Sequence, residues 1–385
     1  MRSQRAAESL RRGHPWLWRD AVARGLEGVG PGEEVQVSGP DGVPVGCGLA
    51  DPASTIAVRL WTHGRSPVDA ELLRERTAAA CALRARLFGQ AETNAYRVLH
   101  GEGDRTPGFV VDRYDHVAVL RTDGDGATAR AADVVAALTP ALESLGVSTI
   151  VHRVGLKGQQ PRFELLRGDP APDKVTVREH GVPFVVDLAR GQKTGAFLDQ
   201  RENRRRVGEL ANGARVLNLF SYAGGFSLHA AARGARHVTS VDVAAAAHAT
   251  AQASFRAAGL DPRAHAFVTA DVFAFLEAAR KKRETWDLVV SDPPSFAPSE
   301  KSVPRALAAY RTLHQACAAV LAPGGMLCAA SCSSHVDETA FLSTLDDATL
   351  ERGDLRLLEV HGAGPDHPTL PAFPEGRYLK FAVLA

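Results

Sequence analysis

The sequence of 385 residues predicts an α/β protein in which a doubly wound, mostly parallel sheet follows a β-rich module and a small α+β unit. After residue 171, five apolar strand-like runs alternate with helical segments, as in sheets whose parallel strands are joined by helical crossovers. The stretch before Pro67 instead holds short alternating runs separated by turns such as "PDG". We therefore expect three domains, at residues 1–67, 68–170 and 171–385.

The elements of the first two domains follow from periodicity. Strands are expected in "EEVQVSGPDGVPVGCGLAD" and "STIAVRLWT", where apolar and polar residues alternate. "VDAELLRERTAAACALRARLFG" has the apolar spacing of one helix face, with Gly89 as its stop. Two strand-like runs around "DRYD", a helix in "ARAADVVAALTPALESLG" and the strand "TIVHRV" complete the α+β unit. "RGDPAPD" is the best linker before the third domain.

The third domain has five buried strand candidates, each followed by a helical stretch or a loop: "ARVLNLF", "HVTSVDV", "HAFVTAD", "WDLVVSD" and "GGMLCAAS". Fully apolar runs are typical of parallel strands that are covered on both faces. In such a sheet, ligands bind at the carboxyl ends of the strands. The residues directly after these five runs are therefore the candidate site.

Composition excludes several classes of protein. Apolar content of 45% and charged content of 23% are those of a globular protein, and the net charge of +1 does not by itself indicate a nucleic-acid binder. The five cysteines form no CxxC pair and no zinc spacing, so no metal is expected. Neither a signal peptide nor a membrane-spanning stretch is visible, which favours a cytoplasmic protein without a membrane partner.

Three strand ends together predict a ligand that contains adenosine. "VLNLFSYAGGFSLHAA" is a strand, a turn and a helix in which Gly224 and Gly225 allow the backbone to approach a ligand. The turn lacks GxGxxG and a lysine, so neither a dinucleotide nor a P-loop nucleotide fits. Asp242 can accept both hydroxyls of a ribose, and Asp271 lies in reach of an adenine amino group. S-Adenosylmethionine (SAM) satisfies this pattern.

The fourth and fifth strand ends carry candidate catalytic residues. In "SDPPSF", Pro293 and its neighbour stiffen a loop from which Asp292 can face a base edge and Phe296 can stack on one. In "SCSSH", Cys332 lies just past the apolar run, where a partly exposed thiol can attack carbon 6 of a pyrimidine and activate carbon 5. The other cysteines, Cys81, Cys317 and Cys328 among them, are interpreted as core residues or lie far from this chemistry along the chain.

The chain also resembles a known family over essentially its whole length. "GQKTGAFLDQRENR", "LNLFSYAGGFSLHAA", "DPPSFA", "SCSSH" and "LPAFPEGRYLKFAVL" are similar to segments of the bacterial class I SAM-dependent 23S rRNA cytosine-C5 methyltransferases. "RRGHPWLWRDAV" resembles the start of that family's N-terminal PUA domain, and "PGFVVDRYD" its central α+β domain. Relatives with a second cysteine in the proline loop differ from this chain, so one thiol would both attack and be released.

The resemblance implies a Rossmann-like SAM methyltransferase domain and 5-methylcytosine formation in 23S rRNA or a large-subunit assembly intermediate. It gives Cys332 and Asp292 the catalytic roles and implies that a homodimer is possible. The implied SAM contacts are Phe220, Tyr222, Gly224, Gly225, Asp242 and Asp271, with Lys193, Phe197 or Asp199 from the "GQKTGAFLDQR" segment at the methionine end. The implied substrate contacts are Pro293, Phe296, Arg11 and Arg12, the two arginines belonging to the PUA domain.

Two other functions stay open from the sequence. A loop like "DPPSF" also suits a methyltransferase that acts on adenine N6 or guanine N2, although Ser295 before Phe296 and the nearby Cys332 favour C5 chemistry. A non-catalytic RNA-binding assembly factor with a retained SAM pocket is the third possibility; the glycine loop, Asp242 and Cys332 argue against it. The target cytosine and the base that removes the C5 proton do not follow from the sequence.

Overall fold

The computed structural model describes residues 1–155 and 162–385 and divides into two compact units. The N-terminal unit comprises Met1–Val175, Asp187–Ala196 and Pro365–Gly376. The C-terminal unit comprises Thr176–Val186, Phe197–Gly364 and Arg377–Ala385. Both units are therefore built from segments that are distant along the chain.

The first sheet of the N-terminal unit has four antiparallel strands in the order β1-β4-β3-β2. The elements are α1 (Gln4–Arg11), β1 (Trp16–Trp18), β2 (Glu34–Ser38), β3 (Pro44–Ala50) and β4 (Ile56–His63). Leu10 of α1 packs with Leu17, Val37 and Val58 of the strands. The strands around "PDG" follow the sequence prediction, whereas α1 was not anticipated.

The second sheet of the N-terminal unit has five strands in the order β5-β6-β7-β8-β9. Among the described strands of this sheet, β7 and β8 form a parallel pair, which α3 and α4 connect, and the other pairs are antiparallel. The elements are α2 (Ala70–Leu87), β5 (Ala95–His100), β6 (Phe109–Tyr114), β7 (Val117–Thr122), α3 (Asp125–Ala129), α4 (Ala131–Ser144), β8 (Thr149–Val154) and β9 (Arg162–Arg167). Cys47 and Trp61 of the first sheet share a core with Leu73 and Phe109, so the two sheets are packed together.

A hairpin, β10 (Lys174–Glu179) and β11 (Val182–Asp187), crosses the boundary between the two units. Its turn is made by His180 and Gly181, both in the left-handed region with φ of 48° and 79°. Such a two-residue turn matches the twist of the strands that it joins. The helix α5 (Arg201–Leu210) follows in the C-terminal unit.

The C-terminal unit contains a seven-stranded sheet in the order β14-β13-β12-β15-β16-β18-β17. Strands β12 to β16 are parallel, and β18 is antiparallel to both β16 and β17. The elements are β12 (Arg215–Leu219), α6 (Gly225–Ala232), β13 (His237–Asp242), α7 (Ala245–Ala257), β14 (Ala266–Thr269), α8 (Val272–Lys282), β15 (Trp286–Ser291), α9 (Val303–Ala318), β16 (Leu321–Ser331), α10 (Glu338–Ser343), α11 (Asp346–Arg352), β17 (Leu357–His361) and β18 (Lys380–Leu384). The predicted doubly wound parallel sheet is confirmed, with two strands added: β18, which is antiparallel to its neighbours, and β17 at the edge.

Helices cover both faces of this sheet, which explains why its central strands are apolar throughout. Val289 belongs to the core with Leu313 of α9, whereas the next residue, Val290, belongs to the core with Phe255 of α7. Alternate side chains of β15 therefore enter different cores. The strand order reverses beside β12, between β13 on one side and β15 on the other, so the carboxyl ends of β12 and β15 form the switch point.

Candidate functional site

The loop between β12 and α6 at this switch point is held in a strained backbone conformation. Phe220, Tyr222 and Gly224 have φ of 54°, 46° and 73°, which is uncommon for residues other than glycine. The amide of Ser221 donates to the carbonyl of Val241 at 3.0 Å, and the Gly224 amide donates to the carbonyl of Ser221 at 2.8 Å. Strain that is held by the surrounding structure is concentrated at functional sites in proteins.

Asp242, at the end of β13, fixes this loop. One of its carboxylate oxygens accepts from the Tyr222 amide at 2.8 Å, and the other accepts from the Ala244 amide at 2.8 Å. Each carboxylate oxygen can accept a second hydrogen bond, so the half-buried Asp242 keeps acceptor capacity for a hydroxyl donor. Its side chain therefore combines a loop-positioning role with the chemistry expected of a ribose contact.

The two glycines of the loop have a packing reason that the sequence did not reveal. A Cβ on Gly224 would lie 2.7 Å from the Cβ of Ala251 on α7, and a Cβ on Gly225 would lie 2.7 Å from Cδ of Arg204 on α5. The sequence pattern alone had indicated that both glycines allow the approach of a ligand. The structure shows that neighbouring helices already come too close for a side chain at either position.

Arg204 joins three segments of the C-terminal unit. Its guanidinium donates to both carboxylate oxygens of Glu179 on β10 and, at 2.8 Å, to the carbonyl of Phe197. Burial raises the pKa of Glu179, but Arg204 and His229 overcome this effect and bring the pKa down to about 2. The backbone of Phe197 is thereby tied to α5, and its ring meets the ring of Tyr222 edge-on at 5.5 Å between centroids.

The other predicted SAM contacts are less closely associated with the loop. Asp271 is exposed and caps α8, accepting from the Ala274 amide at 2.9 Å. Lys193 has a left-handed φ of 53° and belongs to the N-terminal unit. Phe197, the other predicted contact in "GQKTGAF", belongs to the C-terminal unit, which also contains the glycine loop. The exposed side chain of Val243, directly after Asp242, provides apolar surface.

These residues fit SAM. The backbone turn has no lysine, as suits a ligand without a polyphosphate. Asp242 can accept from a ribose, and the exposed apolar Val243 can contact a purine. Within residues 1–155 and 162–385, no group of three His, Cys, Asp or Glu side chains could hold a metal ion. In the same ranges, no helix has the length and hydrophobicity to cross a membrane.

Asp292, directly after β15, is oriented by two amides that sequence analysis missed. Nε2 of Gln200 donates to Oδ1 of Asp292 at 3.0 Å, and Oε1 of Gln200 accepts from Nδ2 of Asn203 at 2.6 Å. Asn203 also donates to the carbonyl of Gly362 at 3.3 Å. Gln200 and Asn203 are both buried, so this series of hydrogen bonds fixes the direction of the Asp292 carboxylate. The signal in the sequence was their position in "GQKTGAFLDQRENR".

Cys332 follows β16, which runs parallel to β15. It is half-buried, whereas Cys47, Cys81, Cys317 and Cys328 are buried. Burial raises the pKa of Cys317 and Cys328 to about 12, which makes both thiols poor nucleophiles. The structure thus agrees with the interpretation of these two as core residues and of Cys332 as partly exposed.

The serines beside Cys332 anchor its turn. Tyr310 OH on α9 lies 2.9 Å from Oγ of Ser331 and 3.1 Å from Oγ of Ser333, and all three residues are buried. Oγ of Ser295, in the proline loop, lies 3.0 Å from Oγ of Ser333. These hydroxyls connect the loops after β15 and β16 and so hold Asp292 and Cys332 on neighbouring strand ends.

The predicted substrate contacts occupy different environments. Pro293 is buried, and the ring of Phe296 packs against Tyr310 with 4.8 Å between centroids, so part of its surface belongs to the core. In the N-terminal unit, Arg11 and Arg12 are exposed at the end of α1. Arg11 forms an ion pair with Asp41 at 2.8 Å, which partly neutralises its charge.

Comparison with known proteins agrees with this fold. Residues 138–377 match the S-adenosylmethionine-dependent methyltransferase family, and residues 3–63 match the PUA-like domain family. The crystal structure of SMU.776 complexed with SAH superimposes with a TM-score of 0.85 at 25% identity, covering 99% of this chain and 98% of that one. The fold and these family matches thus define a SAM-dependent methyltransferase with an N-terminal PUA-like domain, as predicted.

Two curated relatives narrow this class. Ribosomal RNA large subunit methyltransferase I of Photobacterium profundum is 36% identical over 380 residues, covering 97% of this chain and 95% of that protein. A ribosomal RNA large subunit methyltransferase of Deinococcus radiodurans is 39% identical over 406 aligned residues, covering 100% and 96%. The chain belongs to the ribosomal RNA large subunit methyltransferase family.

Proposed function

We propose that this protein methylates C5 of a cytosine in 23S rRNA, with Cys332 as the nucleophile and Asp292 as the residue that contacts the base. The observation that carries the proposal is the half-buried thiol after β16, on the strand next to the one that ends at the Asp292 loop. The same arrangement argues against amino-methylation of a purine, because that reaction has no use for a thiol. The names of the relatives support large-subunit rRNA as the substrate.

The chemistry assigns one step to each residue. The thiolate of Cys332 forms a bond to C6 of the cytosine, and the electron pair of the 5,6 double bond moves to C5. SAM, when bound, would supply the methyl group that C5 receives and would leave as S-adenosylhomocysteine. Asp292, held by Gln200, accepts a hydrogen bond from the exocyclic amine and so orients the ring. After C5 loses its proton to a base, the double bond re-forms and Cys332 leaves as a thiolate.

The SAM contacts form the second part of the proposal. The loop Phe220–Gly225 presents backbone amides at the start of α6, Asp242 accepts from the ribose, and Asp271 accepts from the adenine amine. The ring of Phe197 against Tyr222 supports the apolar side of the cofactor pocket. Lys193 is included as a contact to the methionine end.

RNA binding completes the proposal. Residues 1–67 act as the PUA-like RNA-binding domain, in which the exposed Arg11 and Arg12 neutralise RNA phosphates. The RNA is either naked 23S rRNA or the rRNA of an assembling subunit. Because Cys47 and Trp61 share a core with residues beyond this segment, deletion of the segment would disrupt the neighbouring sheet. Point substitution of the arginines is therefore the appropriate test of this role.

The product identifies the function. Purified protein, labelled SAM and 23S rRNA from cells lacking the corresponding modification should yield 5-methylcytidine in digested RNA analysed by mass spectrometry. An N-methylated adenosine or guanosine would replace the proposal with amino-methylation. The absence of any methylated nucleoside on both naked rRNA and isolated subunit precursors would favour a binding role instead.

The covalent step has a separate test. Cys332→Ala should abolish methyl transfer and leave SAM affinity unchanged, whereas Ser334→Ala, at an exposed neighbour in the same turn, should retain activity. An RNA containing 5-fluorocytidine has no C5 proton to lose, so a thioether to Cys332 should persist and be found by peptide mass spectrometry. Turnover by Cys332→Ala would contradict the nucleophile assignment.

A further inference from the structure

A buried lysine lies beside the proposed nucleophile. Lys380 is the first residue of β18, where it pairs with Ser331 of β16, and only 2% of its surface is exposed. Its ammonium donates three hydrogen bonds, to the carbonyls of Ser333 at 2.7 Å, Val336 at 2.6 Å and Tyr378 at 2.8 Å. All donors of the ammonium are thus used, and two of the acceptors belong to the turn that contains Cys332.

Among the described residues, no carboxylate neutralises the charge of this lysine in a direct ion pair. Within the part of the chain that the structure describes, no carboxylate lies within 4.0 Å of Nζ of Lys380. Burying a charge without a partner is costly, and carbonyl dipoles offset only part of the cost. Burial lowers the pKa of Lys380 to about 8, while Cys332, Asp337 and Glu338, in that order, oppose this effect.

Of these three groups, Cys332 has the largest effect on the ammonium of Lys380. Ser331 on one side of it pairs with Lys380, and the carbonyl of Ser333 on the other side accepts from Nζ. Asp337 and Glu338 are exposed at the start of α10, where water screens their interaction with the ammonium. From α9, Tyr310 faces the same turn, and burial raises the pKa of its hydroxyl, so the phenol contributes no charge.

We propose that Lys380 is a positioning residue that stabilises the thiolate of Cys332 and fixes the turn that carries it. The proton of the thiol leaves to solvent, Lys380 stays protonated, and the buried positive charge favours the anion that attacks C6. This inference rests on the proposed role of Cys332 as a nucleophile. It adds the group that makes the thiol reactive at neutral pH, where an ordinary cysteine is mostly protonated.

Alkylation of Cys332 measures this effect without methyl transfer. The full-length protein is treated with iodoacetamide at a series of pH values, and the rate at Cys332 is followed by peptide mass spectrometry. In the wild-type protein, the half-maximal rate should fall below about pH 8.5, the ordinary midpoint of a cysteine thiol. A wild-type midpoint at or above that value would overturn the proposal before any variant is made.

Two variants separate charge from hydrogen bonding. Lys380→Met removes both, and Lys380→Gln removes the charge but keeps an N–H donor. Each variant should raise the pH midpoint of alkylation by about one unit and slow alkylation at pH 7 about tenfold. Lys282→Met, which removes an exposed charge at the end of α8, should leave the profile unchanged. Alkylation of the four buried cysteines reports any loss of folding in a variant.

The outcomes distinguish this inference from the function on which it rests. Folded Lys380 variants with the wild-type alkylation profile would show that the lysine only holds the backbone. If the same protein still formed 5-methylcytidine, the role of Lys380 in stabilising the thiolate would be rejected and the proposed function would be retained. A shifted profile in a protein that makes no 5-methylcytidine would retain the Lys380–Cys332 pair and reject the proposed reaction.

Discussion

Replacement of Gly224 by alanine tests the packing of the loop Phe220–Gly225 most directly. At Gly224 the new Cβ would lie 2.7 Å from the Cβ of Ala251, and φ is 73°. Gly213 is a matched control because its φ is 71° and nothing lies within 4 Å of its Cβ position. Both variants therefore carry the same backbone strain, but only one introduces a collision.

The expected magnitudes follow from these two effects. A left-handed φ costs an alanine about 1–2 kcal/mol, which is the full expected loss of stability for Gly213→Ala. Overpacking against the short side chain of Ala251 adds about 1–3 kcal/mol in Gly224→Ala, since neither methyl can rotate away. In a chain of this size, each kcal/mol lowers the melting temperature by about 2–4 °C or less.

Thermal unfolding and SAM titration calorimetry measure the two consequences separately. Gly224→Ala should melt several degrees below Gly213→Ala and bind SAM at least about tenfold more weakly, because relief of the collision displaces the Phe220–Gly225 loop. Gly213→Ala should bind SAM as the wild type does. Equal melting temperatures for the two variants would refute the inference that Ala251 requires a glycine at this position.

Two further predictions concern buried polar contacts. Gln200→Met should lower kcat/KM for RNA about tenfold or more and leave SAM affinity unchanged, because Asp292 loses a hydrogen bond of about 1.5–3 kcal/mol. An unchanged kcat/KM would show that Asp292 is oriented without Gln200. In Glu179→Gln, the free energy of unfolding should depend less steeply on pH in the acid range, as measured by acid unfolding followed by circular dichroism. The pKa of Glu179 falls from 4.5 to about 2 on folding, so its stabilisation is present above pH 4.5 and is lost as the pH falls towards 2; parallel acid curves for variant and wild type would contradict this.

Some residues of the candidate site were beyond sequence analysis because their partners are distant along the chain. Gln200 contacts a carboxylate 92 residues away, and nothing in the local pattern connects the two. Lys380 begins an ordinary apolar run, "KFAVL", where a lysine usually marks an exposed strand end. Its burial results from the insertion of β18 between β16 and β17, which is a pairing that no local periodicity specifies.

The sequence by itself determined the alternation of strands and helices, the parallel sheet and the residues at its strand ends, because these depend on local periodicity and on short connections. It also separated the half-buried Cys332 from the core residues Cys317 and Cys328, since an apolar run marks where a buried strand ends. Tertiary structure alone decided which groups orient the site. Amide chains, a buried ammonium and the collisions that require glycine arise only when α5, α7 and β18 pack against those strand ends.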